Sequence, residues 1–187
     1  AVNKRVLRPE YTFDNFVTGE SNRFSFLTAM KVAESPHVTV NPLYIFGDVG
    51  LGKTHLMTAI GHFVLDNNIN TNVVYTTAQQ FAEDYFQATT SKKPGAIESF
   101  YQNYREAELL LVDDVQFLSG KTKTQEEFFK VFEYLFENNR QIVLTSDRPA
   151  AELENIMARL KSRFSWGVLV DIKKPDLNLR KSILKRK

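Results

Sequence analysis

The sequence holds 187 residues, 43% hydrophobic and 25% charged, with no cysteine. That is enough chain for one sizeable core with an appendage, and it excludes a disulfide framework and any thiolate metal site. The net charge of +2 conceals a split, because residues 1–8 sum to +3 and residues 173–187 to +6, leaving −7 on the body; the basic ends suit nucleic-acid contacts or solvated tails.

No apolar run approaches the ~20 residues of a membrane-spanning helix. The start, Ala1-Val-Asn-Lys-Arg5, has no signal-peptide core behind it and reads as a trimmed chain, and the absence of cysteine fits a reducing compartment. Along the chain, the first strand is predicted at Leu43–Phe46. It runs into Gly47-Asp-Val-Gly-Leu-Gly-Lys53-Thr54, a G-x-x-x-x-G-K-[ST] loop, and then into a helical pattern from His55 to Phe63. Glycines let backbone N–H groups approach phosphate oxygens, and the helix N-terminus adds partial positive charge. Gly47, Val49, Gly50, Leu51, Gly52, Lys53, Thr54 and His55 are therefore the nucleotide-binding candidates. Lys53 is expected at the β/γ-phosphates and the Thr54 hydroxyl on Mg²⁺.

A second strand is predicted at Val73–Tyr75, and Ser91-Lys-Lys-Pro-Gly95 breaks two helical patterns after it. The third strand, Leu109–Val112, ends in Asp113 and Asp114. Acids there stand at the carboxyl edge of the sheet, where open α/β sheets bind ligands. Beside a phosphate loop, Asp113 is expected in the Mg²⁺ shell and Asp114 as the group that orients or activates water. Thr124 with Glu127 has capping-box spacing, and Phe128, Phe132, Leu135 and Phe136 then line one helix face. A fourth strand, Ile142–Thr145, leads into Ser146-Asp-Arg148, so Thr145 or Asp147 is a γ-phosphate sensor or a turn cap. Arg159 and Arg163 share a helix face, suited to a finger reaching a neighbouring subunit's phosphates or to a solvated or DNA-facing basic surface. A fifth strand is predicted at Val168–Ile172. Beyond Lys174-Pro175, residues 176–187 begin an amphipathic helix carrying Leu177, Leu179, Ile183 and Leu184, whose partner would lie in sequence that is missing. Short apolar strands alternating with helical patterns predict an α/β fold: a five-stranded parallel sheet with helices on both faces.

The pieces Tyr11-Thr-Phe-Asp-Asn-Phe-Val17, Gly50-Leu-Gly-Lys-Thr-His-Leu56, Leu111-Val-Asp-Asp-Val-Gln-Phe117, Gln125-Glu-Glu-Phe-Phe129, Thr145-Ser-Asp-Arg148 and Arg159-Leu-Lys-Ser-Arg-Phe164 occur in this order. Over residues 9–187 the sequence resembles an AAA+ ATPase, and more narrowly the bacterial chromosomal replication initiators. The resemblance implies a cytoplasmic, nucleoid-associated protein that assembles into an ATP-bound filament. It implies binding of single-stranded origin DNA, promotion of unwinding and slow ATP hydrolysis to ADP as the off-switch. It places Phe16 and Val17 near the adenine and gives Asp113, Asp114, Asp147 and Arg163 catalytic parts, Asp147 as first sensor. Arg163 would be the finger on the next protomer's ATP, with Arg159 supporting that interface. The family's inserted helix, which sets filament pitch, falls at about residues 78–101. Phe86, Lys121 and Lys123 match positions on its single-stranded DNA path; their own chemistry also allows a core phenylalanine and a solvated loop.

Three departures stand out. Asp48 replaces a small residue in the phosphate loop, where an acid opposes phosphate unless it points outward. Residues 1–174 are expected to form the core and residues 175–187 the start of a lid that is otherwise absent with its second-sensor arginine. The helix-turn-helix domain that binds duplex origin DNA in the family is absent too. Weaker nucleotide binding, poor hydrolysis and no duplex recognition are expected of this chain. The competing functions are an AAA+ helicase loader or initiator regulator, an interaction module with a vestigial loop, and a small-molecule kinase. The short stretch before Tyr11 argues against the loader, intact Lys53, Thr54 and Asp113 against the module, and the lack of an acceptor-pocket signature against the kinase.

Overall fold

A computed structural model describes residues 7–187; Lys4 and Arg5, two of the three amino-terminal basic residues, lie outside the described residues. All five predicted strands form: β1 (Leu43–Phe46), β2 (Val73–Thr77), β3 (Leu109–Asp113), β4 (Gln141–Ser146) and β5 (Val168–Asp171). They pair in parallel throughout, in the order β2-β3-β4-β1-β5. Alternate strand residues feed two cores. Leu43, Ile45, Leu109, Leu111 and Val143 pack with α1 (Arg23–Glu34) and α2 (Lys53–Asn67) on one face. Tyr44, Leu110, Val112, Ile142 and Leu144 pack on the other face with α3 (Ala78–Thr90), α4 (Ala96–Arg105), α5 (Thr122–Glu137) and α6 (Ala158–Phe164). Burial on both faces is why these strands read as unbroken apolar runs.

Helix α2 is longer than the predicted His55–Phe63, because the glycine loop delivers the chain straight into its first turn at Lys53. The break at Ser91–Gly95 separates α3 from α4, as the sequence pattern requires. Helix α1 buries only Ser25, Ala29 and Ala33, a small-residue face with little periodic signal.

The capping box at Thr124 does not form. Helix α5 starts three residues earlier, with Lys121 at its N-cap and no side-chain cap bond. Glu127 is buried instead and accepts from the Tyr101 hydroxyl and from Lys130 at 3.2 Å, with Lys123 at 3.6 Å. A carboxylate taken out of water needs such partners, and they outweigh a cap at an exposed helix end. The predicted apolar stripe does form: Phe128, Phe132 and Leu135 are fully buried, each worth about 1.5–3 kcal/mol of apolar burial.

The terminal helix α7 (Leu177–Arg186) is capped by Asp176, which accepts from the Leu179 N–H at 2.7 Å. Leu179 is buried, close enough to Gly19 that a Cβ there would meet it at 3.0 Å. Leu177 and Leu184 remain exposed, so only part of the helix's apolar stripe is used within the described residues. No helix among the described residues is long and apolar enough to cross a membrane.

Candidate nucleotide-binding site

The loop after β1 is shaped by close approach. A Cβ on Gly47 would sit 2.5 Å from the Ile172 carbonyl oxygen, and Gly52 enters α2 with φ of 95° beneath the Phe16 ring. We expect Gly47→Ala to cost about 1–3 kcal/mol by forcing the end of β5 away. Thermal denaturation reads this as a lowered midpoint, and an unchanged midpoint contradicts the packing.

Lys53, only 7% exposed, donates from Nζ to the carbonyls of Gly47 and Asp48, each at 2.7 Å. The ammonium is thereby tethered inside the loop. Burial pushes its pKa below the usual lysine value, while Asp114, Asp113, Asp147 and Asp48 pull it back up. Asp48 itself resolves favourably: its exposed carboxylate faces Lys174 at 3.6 Å and does not line the nucleotide cavity.

Three hydroxyls converge on Asp113. Thr54 donates to Oδ2 at 2.7 Å, Tyr75 donates to the same oxygen at 3.1 Å, and Thr145 donates to Oδ1. The Thr145 oxygen in turn accepts the Asp114 N–H at 2.9 Å. Thr145, one of the two sensor candidates, is thus fully buried and braces the acidic pair, while Asp147 lines the cavity. Asp147 is held by Arg148 through two bonds of 2.8 and 3.1 Å, and its N–H donates to the Gln116 side chain at 3.3 Å. Gln116 also donates to Asp114 at 3.3 Å, so it spans the two acids.

Asp114 sits in the left-handed region, φ 59° and ψ 55°, a conformation that Asp and Asn tolerate. Burial raises its pKa, and the neighbouring charge of Asp113 raises it further, against Gln116 and Lys53. Its proton is held to a higher pH than an ordinary carboxyl's. Native stability should therefore fall as pH rises from the ordinary aspartate value through the raised one, because the folded state binds the extra proton there. Asp114→Asn removes that penalty and keeps the backbone geometry. It should raise the thermal midpoint at neutral pH. A lowered midpoint in calorimetry contradicts the stored penalty.

The loop and acids border a cavity of about 730 Å³ lined by Phe16, Val17, Val49, Gly50, Leu51, Gly52, Lys53, Thr54, His55, Asp114 and Asp147. Its apolar end is aromatic. His55 stacks on Tyr11 with centroids 4.9 Å apart, meets Phe16 edge-on at 5.1 Å, and has Nε2 2.7 Å from the Thr12 carbonyl. Ile183, Arg186 and Lys187 of the terminal segment also line it, and Arg186 donates to the Asp14 carbonyl at 2.8 Å. Gly47 and Asp113 lie beneath this lining as supports.

The remaining candidates lie elsewhere. Arg163 does not border the cavity; it forks onto Glu133, at 3.3 Å from Nη2 to Oε2, and stacks over Trp166 at 3.7 Å. Arg159 lies 4.5 Å over the Phe129 ring. Phe86 is 60% exposed, which rules out its core alternative. Lys121 caps α5 in the open, and Lys123 pairs with Glu126 at 3.4 Å. Sequence reasoning missed Tyr75, Gln116 and Arg186. A polar side chain at a strand end or after the acidic pair was the only trace of the first two.

Among the described residues no cluster of three or more His, Asp or Glu could hold a metal by itself. The Thr54 hydroxyl and Asp113 carboxylate are hard oxygen donors side by side, which fits Mg²⁺ held mainly by substrate phosphates.

A phosphate loop at the foot of α2, closed by a hydroxyl bond onto an acid of the strand two places along the sheet, defines the class: this is a P-loop core of the AAA+ type. Comparison with known proteins narrows the class to a family. The model of the bacterial DnaA ATPase domain matches residues 7–171, and the chain belongs to that family. The chromosomal replication initiator protein DnaA of Acholeplasma laidlawii is 53% identical over 97% of this chain, which spans 40% of that protein's length. Domain III of the Thermotoga maritima initiator is 42% identical at a TM-score of 0.92, covering 97% of this chain and 74% of that one. A structure of replication initiator DnaA bound to AMPPCP and single-stranded DNA is 40% identical at a TM-score of 0.87, covering 96% of this chain and 54% of that one. The DnaC helicase loader, 15% identical at a TM-score of 0.72, covers 89% of this chain and all of that one; it shares the fold alone.

Proposed function

We propose that this chain is the nucleotide-operated segment of a replication initiator, in which ATP, and not ADP, supports self-assembly and single-strand binding at a cytoplasmic, nucleoid-associated origin. The observation that carries the proposal is the Thr54–Asp113 contact, which brings the phosphate loop and the acidic pair into one site at the cavity floor. The adenine fits the aromatic end formed by Phe16 and His55, and the phosphates fit the N-terminus of α2 and Lys53. Thr54 and Asp113 would hold Mg²⁺, which supplies charge neutralisation on the phosphates when bound. Asp114 orients the attacking water, and its raised pKa makes it a better proton acceptor than an ordinary carboxylate. Asp147, braced by Arg148, reads the γ-phosphate edge.

Arg163 serves the ATP of a second protomer, and Arg159 supports that interface. Single-stranded DNA runs past Phe86, Lys121 and Lys123, a reading supported by their exposure and by the single-stranded DNA bound to the solved relative. Duplex origin recognition belongs to parts of the full-length protein outside this chain.

Replacing both Lys121 and Lys123 with alanine should weaken single-strand binding in ATP. It should also flatten the plot of log affinity against log salt by about 1.4, from roughly 0.7 per phosphate contact. Fluorescence anisotropy at several salt concentrations measures both, and an unchanged slope returns these lysines to the solvated loop.

A further inference from the structure

The start of α5, with Lys121 at its N-cap and Lys123 in its first turn, and the segment that feeds Arg159 and Arg163 belong to different parts of the chain, yet they are stitched side by side. Ser119 Oγ donates to the Glu154 carbonyl at 2.8 Å, and the Gly120 N–H donates to the Asn155 carbonyl at 2.9 Å. At the centre of the seam is Gln125 in the first turns of α5, only 2% exposed. Its Nε2 donates to the Leu118 carbonyl at 2.7 Å and to the Asn155 carbonyl at 2.9 Å. Its Oε1 accepts the N–H of Met157, the N-cap of α6, at 2.9 Å.

Three backbone groups from two segments are thus satisfied by one buried carboxamide. With an apolar side chain of the same size, the carbonyls of Leu118 and Asn155 keep the N–H groups of Lys121 and Gly120, but the Met157 N–H loses its acceptor, which costs more than the bond itself contributes. Neither segment is in the sheet, and among the described residues no strand pairing ties them together. The bodies of α5 and α6 are joined by the rings of Phe128 and Phe132 against Phe164 and by the Arg163–Glu133 fork; the seam sets how their amino-terminal ends meet.

We propose that Gln125 is a positioning residue that locks the lysine-bearing start of α5 to the segment leading into the arginine-bearing helix α6, so that single-strand binding and contact with the next protomer's nucleotide are energetically coupled. This rests on the function proposed above and deepens it. A second copy that engages Arg163 fixes α6, α6 fixes Asn155 and Met157, and Gln125 passes that constraint to the first turn of α5, which presents Lys121 and Lys123. The coupling is reciprocal by linkage.

The test uses Gln125→Glu, which keeps the acceptor for Met157 but sets a carboxylate oxygen against the carbonyls of Leu118 and Asn155. Affinity for a fluorescein-labelled oligothymidylate is measured in ATP and in ADP, in the wild-type and Arg163→Ala backgrounds, with nucleotide affinity by calorimetry. We expect nucleotide affinity to stay within about twofold and ATP-supported DNA affinity to fall about tenfold. In the Arg163→Ala background the further loss should be under about twofold, because the coupled partner is already gone. The same tenfold loss in both backgrounds, or no loss in either, overturns the coupling. Should Gln125→Glu fail to fold, the exposed Ser119→Ala removes one stitch. It should give a two- to threefold loss that likewise vanishes without Arg163; an equal loss in both backgrounds, or none, refutes the coupling. A wild-type protein whose DNA binding ignores ATP instead overturns the proposed function, whatever the variants do.

Discussion

Lys53→Ala lowers ATP affinity by about 100- to 1,000-fold, read by calorimetry, while far-ultraviolet dichroism stays that of the wild type. The magnitude follows from losing two charge-assisted bonds to phosphate, each near the lower end of about 1.5–3 kcal/mol. The fold survives because the ammonium's present partners are loop carbonyls at the edge of the cavity, not core groups. Burial outweighs the pull of the neighbouring acids and disfavours the charge, and a phosphate anion seated against it offsets that. Lys53→Arg does not rescue, since a planar fork cannot occupy the space of a compact ammonium tethered to Gly47 and Asp48. Undiminished affinity in Lys53→Ala makes the loop vestigial.

Arg163→Ala has an opposite signature. Nucleotide affinity of the isolated chain stays within about twofold, because Arg163 lies outside the cavity lining. ATP-dependent assembly, followed by light scattering, disappears, and any turnover stimulated by assembly falls by about 10³-fold or more, the worth of an arginine finger. Arg163→Lys rescues neither, because the side chain's placement depends on a fork onto Glu133 and a stack over Trp166. The stability cost is small, about 1 kcal/mol or less, as expected for a partly exposed pair. Loss of nucleotide binding by the monomer shows that the arginine acts in cis and contradicts the assignment.

The sheet and the phosphate loop were legible because they rest on strong local signals. Five apolar runs became five strands, and a glycine loop between strand and helix has few other uses. Sites that depend on contact between distant segments were not. Thr124 and Glu127 had the spacing of a cap, yet Glu127 answers to Tyr101, some 26 residues away in sequence. Asp113 was readable as an acid at a strand end, but its three hydroxyl partners come from α2, β2 and β4. Asp48 looked unfavourable in one dimension and is harmless in three, since its side chain turns out toward Lys174. Phe86 shows the same limit in reverse: an aromatic on a helix passes for core until the fold leaves it uncovered.

The central claim is that the cavity holding Lys53 and the exposed residues Phe86, Lys121 and Lys123 serve one ATP-operated device. The most direct test is single-stranded DNA affinity measured by anisotropy with ATP and with ADP at the same salt concentration, in this chain and in the full-length protein. The account predicts binding at least about tenfold tighter with ATP in both, with the difference lost in Lys53→Ala. Equal affinity with ATP and ADP in the full-length protein contradicts it.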